Sequence, residues 1–106
     1  MKILICGDVV GKTGRRAVKE HLPDLRQRLD LDFVVVNGEN AAHGFGITDK
    51  ICEGFYDAGA DVITSGNHIW DQREIIDYIG GDPRLLRPMN YPEGTPGAGT
   101  GVYKAR

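Results

Sequence analysis

An α/β fold with a mostly parallel sheet is the architecture this 106-residue sequence predicts, and three observations carry it. Short runs at Ile3 to Cys6, Phe33 to Val36 and Asp61 to Thr64 have the length and the β-branched or aliphatic character of buried strands. After each of them stands a segment whose apolar residues recur at helical spacing. The resulting βαβαβα order favours parallel strands joined by right-handed crossovers.

The elements follow in chain order. Ile3-Leu4-Ile5-Cys6 is continuously apolar and closes on Gly7, the pattern of a strand covered on both faces. Ala17, Val18, Leu22, Leu25 and Leu29 mark one side of the first helix. Phe33 to Val36 reads as a second buried strand. After the loop "NGENAAHGFGIT" a helix is expected from about Asp49 to Ala58, with Ile51, Phe55 and Ala58 inward and Thr48 as N-cap. Asp61 to Thr64 forms the third strand. Asp71 followed by Glu74 resembles an acidic capping box for a short helix through Ile79, which Gly80-Gly81 ends. The Pro- and Gly-rich tail then leads to an expected strand beginning at Gly101-Val102-Tyr103, and the sequence stops at Arg106. Residues 1–106 therefore read as a single partial domain, truncated at its C-terminus.

Bulk properties narrow the partners. Thirteen Lys and Arg against fifteen Asp and Glu leave a net charge of −2, which gives no electrostatic reason to bind duplex nucleic acid or an anionic membrane. No apolar run reaches membrane-spanning length, and the start becomes acidic and Gly-rich too soon for a signal peptide. Cys6 and Cys52 sit in patterns that read as buried and cannot build a disulfide framework, pointing to a reducing cytoplasm.

The stretch "ICGDVVGKTGRRAV" looks like a phosphate-cradling loop, but Gly7 and Gly11 enclose only Asp8, Val9 and Val10. That is one residue fewer than a P-loop needs, and Asp8 would repel phosphate. A different comparison explains Asp8 better. "ILICGD", "FVVVNGEN" and "VITSGNH" are each an apolar strand, a glycine, and then a potential ligand. In a parallel sheet all strand C-termini share the edge where ligands bind, so Asp8, Glu39, Asn40, Asn67 and His68 are expected to meet there. Two carboxylates brought together without a cation repel, whereas a divalent metal makes the same cluster favourable. Oxygen donors with an imidazole suit manganese or iron better than a thiolate-selecting zinc site, and Glu39 is of a type that bridges two ions.

"GDVVGKTGR", "NGENAAHGFG" and "SGNHIWD" together resemble the amino-terminal half of the YmdB-like metallophosphoesterases, a bacterial branch of the calcineurin-like superfamily. The resemblance implies an α/β sandwich of which this chain holds the first half, and hydrolysis of 2′,3′-cyclic nucleotides and related phosphodiesters on two metal ions. It implies that Asp8 binds the first metal, Glu39 bridges both, Asn40 supports the first and Asn67 binds the second. His68 would contact the phosphate or protonate the leaving oxygen. Val10 occupies the place where most of the superfamily has a histidine ligand, and Glu39 stands where aspartate is usual; both departures fit this branch. Family members are longer and take further histidine ligands from downstream strands, so weak metal retention, little hydrolysis by this chain alone, and self-association through an uncovered apolar face are expected.

Blander readings stand beside these. Asp8, Glu39 and Asn40 are residue types that also cap helices and turn loops. Asp71 is read as a helix cap rather than a partner of His68, His43 as a loop residue near the site, and His21 as solvated. Lys12, Arg15 and Arg16 are read as a wet helix face, and Trp70 as a packing residue. The alternative to an enzyme is a nucleotide- or metal-binding module without turnover, and after it a purely interacting half-domain.

Overall fold

The computed structural model describes residues 1–106. Strand β1 (Ile3–Cys6) leads into helix α1 (Gly11–Arg28), followed by β2 (Phe33–Asn37), α2 (Asp49–Ala58), β3 (Val62–Thr64), a 3₁₀ turn (Asn67–Trp70) and α3 (Ile75–Ile79). The three strands form one parallel sheet in the order β1-β2-β3, with Ile3 opposite Phe33 and Val36 opposite Ile63. This is the parallel α/β arrangement that the alternating pattern predicts.

Burial divides the sheet into two unlike faces. Leu4, Cys6, Val34, Val36 and Ile63 share one face by register, and Val34, Val36 and Ile63 are fully buried in a core with Leu22 of α1 and Cys52 and Phe55 of α2. On the other face Ile3 is 53% and Ile5 74% exposed. The reading of β1 as covered on both faces is therefore corrected. β1 pairs only with β2 and receives helices on a single side, so an apolar run there marks a sheet edge with one open face.

The helices have identifiable ends. Thr48 caps α2, its hydroxyl accepting from Ile51 N–H at 3.2 Å, and Gly59 closes it in the left-handed region at φ 118°. Arg26 of α1 donates to Gly59 O at 2.6 Å and Asp61 Oδ2 at 2.7 Å, tying the helix to the segment entering β3. Gly38 is required by packing, because a Cβ there would lie 2.8 Å from Ile47 Cδ1.

The tail departs from expectation. No strand forms at Gly101-Val102-Tyr103. The free edge of β3 is taken instead by Leu85-Leu86, with Ile63 N–H donating to Arg84 O at 2.8 Å and Leu86 N–H to Ile63 O at 2.9 Å. Side chains anchor the last residues: the Tyr103 ring lies 6.0 Å from that of Phe33, and its hydroxyl donates to Pro83 O at 2.6 Å. Cys52 is buried, whereas Cys6 is only half-buried at the β1 edge; burial pushes both thiols above their ordinary pKa. No helix is long and apolar enough to cross a membrane.

Candidate active site

Parallel pairing places the C-terminal ends of β1, β2 and β3 along one edge, and each strand there runs into a loop bearing the candidate residues. Backbone bonds lash these loops together. Val9 N–H donates to Asn37 O at 3.2 Å, Gly11 N–H to Asn40 O at 3.0 Å, and Gly38 N–H to Thr64 O at 3.0 Å.

Two direct links join the side chains across strands. Asn40 Nδ2 donates to Asp8 Oδ2 at 2.8 Å, joining the β1 and β2 ends. The His68 backbone N–H points to Glu39 Oε2 at 3.4 Å, joining the β2 and β3 ends. The Glu39 carboxylate lies against Gly66, where a Cβ would lie 2.6 Å from its Cδ. Only glycine leaves room for that carboxylate. Asn67 lies at the same edge, solvent-exposed, and its amide bonds to none of the others. His43 is exposed in the left-handed region at φ 52° and joins no candidate residue, while His21 is exposed on α1.

Asp71 is corrected from helix cap to imidazole partner. Its Oδ2 lies 2.7 Å from His68 Nδ1, whereas α3 begins at Ile75 behind Glu74, which makes no side-chain cap. The cause is the 3₁₀ turn over Asn67–Trp70, where side chains three apart eclipse one another and Asp71 faces His68. The reading of Arg15 as part of a wet helix face is also corrected: its Nη1 donates to Ala41 O at 2.6 Å and clamps the loop immediately after Asn40. The His-x-x-Asp spacing was a legible signal for Asp71; nothing local to "GRR" announced a bond to a loop 26 residues away. Trp70 packs against the core with its ring 6.0 Å from that of Tyr91, in keeping with a packing role.

The donor set is oxygen-rich: Asp8 and Glu39 carboxylates with Asn40 and Asn67 amides, a chemistry that suits hard or borderline divalent cations. No group of three His, Cys, Asp or Glu side chains converges in this chain in a way that would hold a metal ion. The residues thus fit such ions in kind, and the two amide oxygens have to supplement the two carboxylates.

Comparison with known proteins matches residues 4–106 to the family described as YmdB-like protein. Over 105 residues the chain is 53% identical to a 2′,3′-cyclic-nucleotide 2′-phosphodiesterase of Bacillus subtilis (strain 168), covering 99% of this chain and 40% of that protein. A crystal structure of a hypothetical protein from Thermus thermophilus superposes with a TM-score of 0.86 at 44% identity, over 93% of this chain and 38% of that one. A phosphatase from Mycoplasma pneumoniae superposes at 0.89 with 35% identity, over 98% of this chain and 38% of that one. The chain spans about 40% of the length of the curated relative it matches. With the match running through all three strand-end loops and the fold shared with a solved phosphatase, the chain belongs to the YmdB-like protein family.

Proposed function

We propose that this chain carries the strand-end portion of a metal-dependent phosphodiesterase active site, acting on 2′,3′-cyclic nucleotides or related small phosphodiesters. The observation that carries the reading is the edge where Asp8 with Asn40, and Glu39 with His68, are linked across three parallel strands. The 53% identity to a protein named for that activity supports it.

Asp8, Glu39, Asn40 and Asn67 would hold two divalent ions, iron or manganese, with Glu39 between them. Such ions supply charge neutralisation at phosphoryl oxygens and make a water a better nucleophile. The chain's own groups do the rest. Asn40 holds the Asp8 carboxylate in place, and Gly66 leaves the space in which Glu39 lies. When water attacks phosphorus and the bond to the 2′ or 3′ oxygen breaks, His68 delivers a proton to that oxygen. Asp71 accepts from Nδ1, which leaves Nε2 as the nitrogen that gains and loses the proton. The two free cysteines accord with a reducing cytoplasm.

Turnover of a 2′,3′-cyclic nucleotide, measured with added manganese or iron on this chain and on a chain extended to the length of its relatives, tests the reading. Hydrolysis by the extended chain, abolished by chelation and by Glu39→Gln, is expected. The alternative reading is a nucleotide- or metal-binding module without turnover. Nucleotide or metal binding by the extended chain with no hydrolysis would establish it instead.

A further inference from the structure

A concentration of cationic side chains lies beside the strand-end site, on the opening turns of α1. Lys12, Arg15, Arg16 and Lys19, with Glu20 as the one acidic member, flank an open surface depression of about 360 Å³. Three- and four-residue spacing stacks them along one helix face. The chain as a whole carries a net charge of −2, so the cluster is not a by-product of general basicity.

The groove is partly preorganised. Arg15 is held by Ala41 O at 2.6 Å, and the Lys19 stem crosses Gly54 of α2, where a Cβ would lie 2.9 Å from Lys19 Cε. Arg16 shares its charge with Glu20 at 3.0 Å, whereas Lys12 and Lys19 enter no ion pair. Its position ties it to the site. Gly11, one residue before Lys12, bonds to Asn40 O at 3.0 Å, and Arg15 grips the residue after Asn40. From Lys12 to Lys19 the helix rises about 10 Å, which exceeds one phosphate group and suits successive phosphates of a single strand.

We propose that this α1 groove binds the phosphodiester backbone of a single-stranded oligonucleotide whose cyclic-phosphate end enters the strand-end site. The inference rests on the proposed function and deepens it: the substrate is the end of an oligonucleotide rather than a free mononucleotide. Recognition through backbone charge alone is indifferent to base sequence and sensitive to salt.

Fluorescence anisotropy with the full 106-residue chain tests the groove without requiring turnover. The probe is a 5′-fluorescein RNA hexamer ending in a 2′,3′-cyclic phosphate, titrated at salt concentrations from about 50 to about 200 mM. An unlabelled cyclic mononucleotide and a polyglutamate peptide serve as comparison ligands. The hexamer is expected to bind more tightly than either, and Lys12→Gln with Lys19→Gln should weaken it at least about fivefold. The logarithmic salt slope should flatten by about 1.4, the equivalent of two single-strand phosphate contacts. Both lysines are exposed and neither enters the core, so an unchanged melting temperature is expected. The proposal is overturned by equal affinity and slope in the double variant, by a hexamer that binds no tighter than the mononucleotide, or by polyglutamate binding as well as RNA. Charge-dependent hexamer binding without hydrolysis by the extended chain would sink the proposed reaction and support the groove.

Discussion

Asp71 shows how much one residue's role depends on the turn beneath it. Its carboxylate reaches His68 Nδ1 at 2.7 Å because a 3₁₀ turn, not an α-helical cap, separates the two. In the wild type a single neutral tautomer protonated at Nδ1 is expected, and Asp71→Ala should release the ring to a mixture. Long-range ¹H–¹⁵N correlation of His68 at alkaline pH reads both, and a mixture already present in the wild type would contradict the pairing. Gly66 supplies a second residue-level test. A methyl group there would collide with the Glu39 carboxylate, since the added Cβ falls 2.6 Å from Cδ. Gly66→Ala should displace Glu39 and abolish hydrolysis by the extended chain, while destabilising the fold by no more than about 1–3 kcal/mol in urea denaturation.

Helix α2 is where element-level predictions are sharpest. Thr48 satisfies the Ile51 N–H at 3.2 Å, and Thr48→Ala should cost about 1 kcal/mol of unfolding free energy, read from the denaturant midpoint. At its other end α2 joins α3 through a buried carboxylate: Asp82 Oδ2 accepts from Tyr56 at 2.7 Å and Tyr78 at 2.8 Å, and Asp82 Oδ1 accepts from Arg84 N–H at 2.9 Å. Burial first, and then the bond to Asp82, push both phenols above their usual pKa. The folded state therefore holds these protons after the unfolded chain has lost its own. Their stabilising contribution is complete below the unfolded tyrosine pKa of about 10 and declines as pH rises above it. Urea midpoints should fall steeply above about pH 10, and less steeply in Tyr56→Phe; a pH-independent midpoint through that range would refute the linkage.

For the whole molecule the unlike sheet faces dominate. One carries the core, and the other leaves Ile3 and Ile5 53% and 74% exposed on an edge strand. An apolar face beside unpaired strand hydrogen-bonding groups favours association with another chain. Light scattering should show a mass that rises with concentration, and Ile5→Lys, placing a charge on the edge, should suppress the rise without lowering the melting temperature. A wild-type chain that stays monomeric at high concentration would remove this expectation.

The parallel α/β order, the bounds of α2 and its Thr48 cap were legible in the sequence, because periodicity and capping are local properties written within a few residues. So was the set Asp8, Glu39, Asn40, Asn67 and His68 as strand-end residues, because in parallel sheets topology alone sends every strand terminus to one edge. What the sequence could not determine depends on pairs far apart in the chain or on competition between local options. Whether Ile3 and Ile5 are covered depends on which elements pack on each face of β1, which an apolar run does not record. The expected strand at Gly101-Val102-Tyr103 is absent, and Leu85-Leu86 takes the free edge of β3 instead; which segment reaches a sheet edge is a tertiary outcome that a short apolar run does not record. Asp71 had two local partners within reach, the N-terminus of α3 and the ring of His68, and the 3₁₀ turn decided between them. Arg15 looked like a solvated charge until folding brought the Ala41 carbonyl to it, a tertiary contact that no spacing within α1 encodes.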